Sequence, residues 1–191
     1  VLARVQKAAI GDLRYLHDNY LQKLPTALAQ AQLGAALARY GELGRAQEAF
    51  TAALNRTGRA ATVRDYGTSL RDRAALLALL AESGQLPERI PPLAEQLAAD
   101  FGQRHYTSTQ EQAWLLLAAH ALLAQAAGPM RLTVDGQAAT ADPLYLAPLS
   151  EQLAKGLSMR NEGNGPIWYS ANLSGVPIAQ QPPAREGFTI A

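Results

Sequence analysis

Through the first two thirds of the chain, apolar residues recur at three- and four-residue spacing and are weighted to Ala and Leu, the pattern of amphipathic helices rather than strands. Leu13, Leu16 and Tyr20 form a first stripe, Leu33, Leu37 and Tyr40 a second, and Leu43, Ala46, Phe50 and Leu54 a third, with Gly11, Gly41 and Gly58 as punctuation. A further helix is predicted over 70–82, with Ser69 as N-cap, Asp72 at its third position and Gly84 beyond its end. Pro87 permits the next start. Ile90, Leu93, Leu97 and Phe101 keep helical spacing, and Pro91 and Pro92 are compatible with it only in the first turn. The last helix has the strongest signature: Ser108 and Glu111 predict a capping box ahead of Ala113, Trp114, Leu117, Ala118, Ala121 and Leu122, and Gly128-Pro129 ends the run.

From Met130 the period changes. Met130-Arg131-Leu132-Thr133-Val134 alternates before Asp135-Gly136, a dipeptide favoured in tight hairpins, so a β-hairpin returning through 137–141 is expected. Strands are also expected over 157–160 and 167–173, joined by the turn-rich 161–166, with Gln180-Gln181-Pro182-Pro183 as a linker before 187–190. The fold class is therefore α+β, with helical hairpins followed by a small antiparallel β-rich domain.

Composition narrows the function classes. The 191 residues are 48% hydrophobic, enough for a sizeable core, and 17 Lys+Arg against 16 Asp+Glu leave a formal charge of +1, which gives no bulk attraction to nucleic acid or anionic lipid. The absence of cysteine removes disulfides, thiolate nucleophiles, zinc-thiolate sites and iron–sulfur clusters. No apolar run approaches the roughly 20 residues of a spanning helix, and the opening Val1-Leu2-Ala3-Arg4 has neither Met nor a signal pattern, as expected of an internal cut from a longer protein.

Candidate chemistry is sparse. His17, His105 and His120 are widely separated, and none has a partner histidine at i+4, so no helical metal face is written. Asp65, Asp72, Asp100 and Glu111 are the candidate carboxylates for hydrolysis across a helical mouth, with Asp72 and Glu111 better suited to offsetting the positive ends of helices. Arg71 and Arg73 flank Asp72 as an ion-pair cluster, a small anion site or simply solvated surface. Gly163-Asn164-Gly165 lacks the Lys-Ser/Thr and following helix of a phosphate loop. Trp168 and Tyr169, adjacent on an expected strand, should face opposite sides.

Two sets of residues resemble known families. Leu33-Gly34, Leu37, Gly41, Ala46, Phe50 and Ala53 resemble a single tetratricopeptide repeat, but no second copy follows about 34 residues on, as an array requires. More broadly, 65–80, with Tyr66, Gly67, Ser69, Arg71 and Asp72, is similar to a segment of the thioester-type domain of bacterial α2-macroglobulins. So is 106–117, with Tyr106, Ser108, Gln110, Glu111 and Trp114, and 157–163, 166–169 and 175–177 look like the β-rich segment that follows. The resemblance implies part of an α/α toroid over 1–128, a CUB-like β-rich segment over 129–181, and a linker and the start of the final macroglobulin domain over 182–191. It also implies a non-catalytic piece of a protease-trapping envelope-defence protein, periplasmic, its parent held to the inner membrane by an N-terminal lipid. The implied partners are proteases and other envelope proteins met through the full-length parent, with no cofactor, no nucleic acid and no membrane contact by this stretch. The family's thioester joins Cys to Gln in Cys-x-Glu-Gln; Thr109-Gln110-Glu111-Gln112 has that spacing with an alcohol in place of the thiol, and the capping box accounts for Glu111 without reactivity.

Overall fold

The computed structural model describes residues 1–56, 58, 66–125, 130–139, 145–163, 167, 169, 175, 176 and 179. The chain divides into two compact units, Val1–Ala127 and Gly128–Ala191.

The first unit is helical: α1 (Ile10–Tyr20), α2 (Ala27–Arg39), α3 (Leu43–Leu54), α4 (Ser69–Ser83), α5 (Ile90–Gly102) and α6 (Thr109–Gln125), with short 3-10 turns at Leu2–Val5, Leu21–Lys23 and Pro87–Arg89. Helix α4 is the centre. From Leu70 to Ala81 only Arg73 escapes full burial, because α4 is apolar on nearly every side and α2, α5 and α6 pack around it. Its alternation of Leu with Ala lets three neighbours approach while large side chains fill the gaps between them. The α2–α3 hairpin closes at Gly41, whose φ of 78° is a conformation that favours glycine. It brings Gly34 so near α3 that an added Cβ would lie 3.1 Å from Ala46 O and 3.2 Å from Phe50 Cδ2.

Several expectations are corrected. The N-cap of α4 is Thr68, not Ser69: Thr68 keeps extended backbone and its Oγ1 accepts from Arg71 N at 3.1 Å, while Ser69 is already the first helical residue. Asp72 therefore sits one position deeper than a capping box requires. Gly11 lies inside α1 rather than between helices. The first apolar stripe is not core, since Leu16 and Tyr20 are each 40% exposed and α1 instead turns the buried His17 inward. Tyr20 is occupied at the surface, its ring 5.7 Å from that of Tyr15 with Lys23 Nζ 4.9 Å above it. Leu43, in the first turn of α3, is exposed as well.

Other readings hold. Pro91 and Pro92 occupy the first turn of α5, where their missing N–H groups cost no helical bond. Gly84 ends α4 in the left-handed region.

The second unit contains β1 (Leu132–Val134), β2 (Gln137–Ala139) and β3 (Met159–Asn161) in the antiparallel order β2-β1-β3, with a short helix α7 (Ser150–Lys155) before β3. Leu132 faces Ala139 on one side and Asn161 on the other. Asp135 (φ 49°) and Gly136 (φ 80°) both take positive φ, as a two-residue turn of this hand demands. The strand expected over 157–160 begins two residues later: Asp135 N donates to Ser158 O at 2.8 Å and Ser158 N to Asp135 Oδ1 at 2.9 Å, so the turn residue anchors the entry to β3. Helix α7 was not expected. The strand over 167–173 and the segments 180–183 and 187–190 lie wholly or mostly outside the described residues, as do Asp65, Asn164, Gly165 and Trp168.

The close approach at Gly34 makes a prediction. Gly34→Val should destabilise the chain by about 1–3 kcal/mol in urea unfolding followed by circular dichroism, because a backbone carbonyl and a fully buried Phe50 must give way. Unchanged stability would show that α2 and α3 are not in contact there.

Candidate functional site

The chemistry-bearing residues singled out in the sequence gather where α4 and α6 begin. Ser108 and Glu111 complete the expected capping box: Ser108 N donates to Glu111 Oε2 at 2.7 Å, and Glu111 N donates to Ser108 Oγ at 3.3 Å. The other carboxylate oxygen reaches a second helix, since Thr68 Oγ1 donates to Glu111 Oε1 at 2.6 Å while accepting from Arg71 N. One carboxylate thus serves the N-caps of both α4 and α6. Glu111 is only 3% exposed. Burial pushes its carboxyl up, but the bonds from Thr68 and Ser108 and the nearby Arg104 charge together hold it below the ordinary 4.5.

Around this junction the remaining predicted residues do different things. Arg71 and Asp72 are both buried and paired, Nη2 to Oδ1 at 2.6 Å and Nε to Oδ1 at 3.0 Å. Arg73 pairs with Asp100, tying α4 to α5. Trp114 is half-buried against the main core. Tyr66 is exposed with φ 51°, a left-handed conformation uncommon for a residue with a Cβ, and Gly67 beside it is buried. Tyr106, His105 and Gln110 are exposed. Ser69 borders two cavities, one of about 420 Å³ bounded by α2 to α5 and one of about 280 Å³ beside Asp100 and Arg104. Among the described residues no group of three His, Asp or Glu side chains could hold a metal ion, and no helix is long and apolar enough to cross a membrane.

The sequence does not single out Thr68, Gln30 or Arg56, and it offers no partners for His17. Thr68 was hidden by its neighbour Ser69, an equally good cap. Gln30 is fully buried, donating to Leu21 O at 3.0 Å and accepting from Arg56 Nε at 3.2 Å, and Arg56 also donates to Leu24 O and Pro25 O. His17 lies between carboxylates of two helices, Nδ1 2.9 Å from Asp18 Oδ1 and Nε2 3.3 Å from Glu48 Oε2. From there a surface ion ladder runs through Arg45 and Glu42 to Arg14. Hydrogen bonds from Arg45 and then His17 lower Asp18 to about 2, and Arg14 followed by Arg45 lowers Glu42. Only the polar members of such a set are visible in sequence; their pairing across 27 or 28 positions is not.

No family model matches the chain. The α2-macroglobulin of Escherichia coli strain K12 is 34% identical over 196 residues, a match that takes in 100% of this chain and 12% of the relative. That of Xylella fastidiosa strain 9a5c is 28% identical over 194 residues, 93% of this chain and again 12% of the relative. Among solved structures, the native conformation of E. coli α2-macroglobulin superposes with a TM-score of 0.59 at 32% identity, over 85% of this chain and 10% of that one. The E. coli protein activated by porcine elastase gives 0.55 at 36% identity, over 72% and 13%. The chain spans about an eighth of the length of the relatives it matches.

Two predictions follow from the charges. A depressed folded-state pKa means that Glu111 contributes its full stabilisation above the ordinary 4.5 and loses it as pH falls through the lowered value. Glu111→Gln should therefore cost about 1–3 kcal/mol in denaturant unfolding at pH 7, with the gap to the parent chain narrowing below pH 4.5; an equal gap at pH 7 and pH 3 would refute the double cap. In a carboxyl NMR titration Asp18 should titrate near about 2, and Arg45→Gln should return it toward 3.8.

Proposed function

Because this chain is homologous to a segment of the bacterial α2-macroglobulins, we propose that it is a non-catalytic portion of a protease-trapping protein of envelope defence. In this reading its six longer helices form an arc of an α/α toroid of the thioester type, and its three strands belong to the β-rich segment that follows.

The observation that carries the reading is the unfinished burial of α6. This helix is apolar all round, yet only the face with Glu111, Ala118 and Ala121 is buried, against α4. On the opposite face Leu116 is 71% exposed and Leu123 66%, and on the flank Leu117 is 45% exposed. Each such leucine, partly covered already, gives up roughly 1–2 kcal/mol of burial free energy, and α4 shows what a helix of this composition does when its neighbours are present. Further helices of the same ring, in a parent some eight times longer, supply the missing cover. The strands support the same view, since none of the described residues from 130 to 179 is buried and such a sheet must borrow its core.

A non-catalytic role agrees with the state of the candidate acids. Glu111 is spent on two helix caps, Asp72 on Arg71 and Asp100 on Arg73. The chain supplies no thioester, because it has no cysteine and Glu111 of the Thr109-Gln110-Glu111-Gln112 run is buried in the cap junction. The partners of the parent are proteases; structures of the E. coli relative were obtained after activation by porcine elastase and by trypsin. A periplasmic location, with the parent anchored by a distant lipid, belongs to the same proposal. A helical-repeat scaffold finds support in the α2–α3 hairpin alone, and the enclosure of α4 by three helices argues against a one-dimensional stack.

The test joins structure to function. In the 191-residue chain, Leu116→Lys with Leu123→Lys should leave unfolding stability within about 0.5 kcal/mol, as surface substitutions do, while in the full-length parent the same pair should destabilise the helical domain by several kcal/mol. The intact parent mixed with trypsin should leave hydrolysis of a small peptide substrate intact and block that of casein. Undiminished casein cleavage would overturn protease trapping, and equal tolerance of the double substitution in both contexts would overturn the ring.

A further inference from the structure

Independently of the protease-trapping reading, we propose that the cavity of about 420 Å³ bounded by α2, α3, α4 and α5 is a binding site for a small oxyanion, a free phosphate or a small organic carboxylate. Among the described residues three guanidinium groups line it, Arg56 just after α3, Arg73 on α4 and Arg89 just before α5, with one carboxylate, Asp72. Asp72 is already engaged by Arg71 at 2.6 Å, and Arg73 is matched by Asp100. Arg56 makes three hydrogen bonds, to Leu24 O, Pro25 O and Gln30 Oε1, all of them neutral acceptors. Arg89 has no carboxylate partner among the described residues.

Among the described residues, two positive charges therefore line one cavity without a carboxylate paired to either. They differ in kind. Arg56 is held rigidly, one hydrogen bond from each guanidinium nitrogen, and its two terminal nitrogens each keep a second N–H for a ligand. Its fork is pre-organised, so little rotamer entropy remains to be lost when an anion arrives. Arg89 lines the same cavity and is exposed, with no carboxylate to hold its guanidinium among the described residues. Guanidinium is the side chain best matched to the planar or tetrahedral oxygens of carboxylate and phosphate. The cavity also falls within the size range of small-molecule sites while being polar enough to favour an ion over a hydrocarbon.

The experiment follows the arginine Nε–Hε resonances of the 191-residue chain in ¹⁵N-correlated NMR while inorganic phosphate, and separately citrate, is added against sodium chloride of matched ionic strength. Saturable shifts at Arg56 and Arg89 with phosphate alone would assign the site to phosphate, with citrate alone to carboxylates, and with both to oxyanions in general; each supports the proposal. Arg89→Gln, which removes a guanidinium with no side-chain hydrogen bond among the described residues, should weaken binding by at least about tenfold. Arg56→Lys, which keeps the charge but loses the fork, should weaken it too. Shifts that grow linearly without saturating, that chloride reproduces, or that persist unchanged in Arg89→Gln would overturn the proposal.

Discussion

A helix that is apolar on nearly every side can persist only where neighbours cover it nearly all round, and α4 imposes that requirement on the whole helical unit. With burial running almost unbroken from Leu70 to Ala81, the chain must bring α2, α5 and α6 around it before the largest share of its burial free energy is realised. The α2–α3 hairpin is pressed close by Gly34, the prolines start α5 cleanly, and α6 lies along α4. The small residues of α4 set how near these neighbours come. The large ones determine that no gap is left.

Enclosing a helix in this way creates a polar difficulty at its ends, where the first N–H groups have no intrahelical partners. The chain resolves it at two helices together. Thr68 and Ser108 cap α4 and α6, and Glu111, itself buried, binds both caps. A carboxylate in that position is held ionised by the donors around it despite its burial, so the junction is specific in geometry as well as in charge. At the other end Gln125 donates to Ala81 O, which fixes the register of α6 against α4 along its length. The neighbouring Arg71–Asp72 and Arg73–Asp100 pairs complete a polar rim, so that among the described residues Asp72, Asp100 and Glu111 are all engaged in structural contacts.

The same principle, carried one helix further, gives the functional reading its physical basis. What α4 has in full, α6 has by half, and the three-stranded sheet has among its described residues no buried side chain at all. Both features are what the proposed reading expects of a stretch that completes its core with other parts of a longer protein, and the α2-macroglobulins it resembles are about eight times its length.

Local chemistry, which sequence records directly, decided a good deal. Helical period, the Pro91-Pro92 start of α5, the Ser108–Glu111 box, the Asp135-Gly136 turn and the change to strands after Met130 all act within a few residues, so each was legible in the order of residues alone. The α+β class and the kinship with α2-macroglobulins were legible for the same reason, because they rest on motifs and their spacing. What depended on distance through space was not. Between Thr68 and Ser69 either hydroxyl could cap α4, and the choice fell to the one whose backbone stays extended and whose oxygen meets Glu111 from 43 positions away. The stripe of Leu13, Leu16 and Tyr20 has helical period, but period shows only that a face exists, and packing against α2 and α3 turned His17 inward instead. The buried Gln30–Arg56 bond and the cluster of guanidiniums lining the cavity likewise come into being only when remote segments meet. Sequence fixes which groups each turn of chain can offer, and tertiary packing alone decides which of them find a partner, because burial and pairing are properties of neighbours that the chain order does not name.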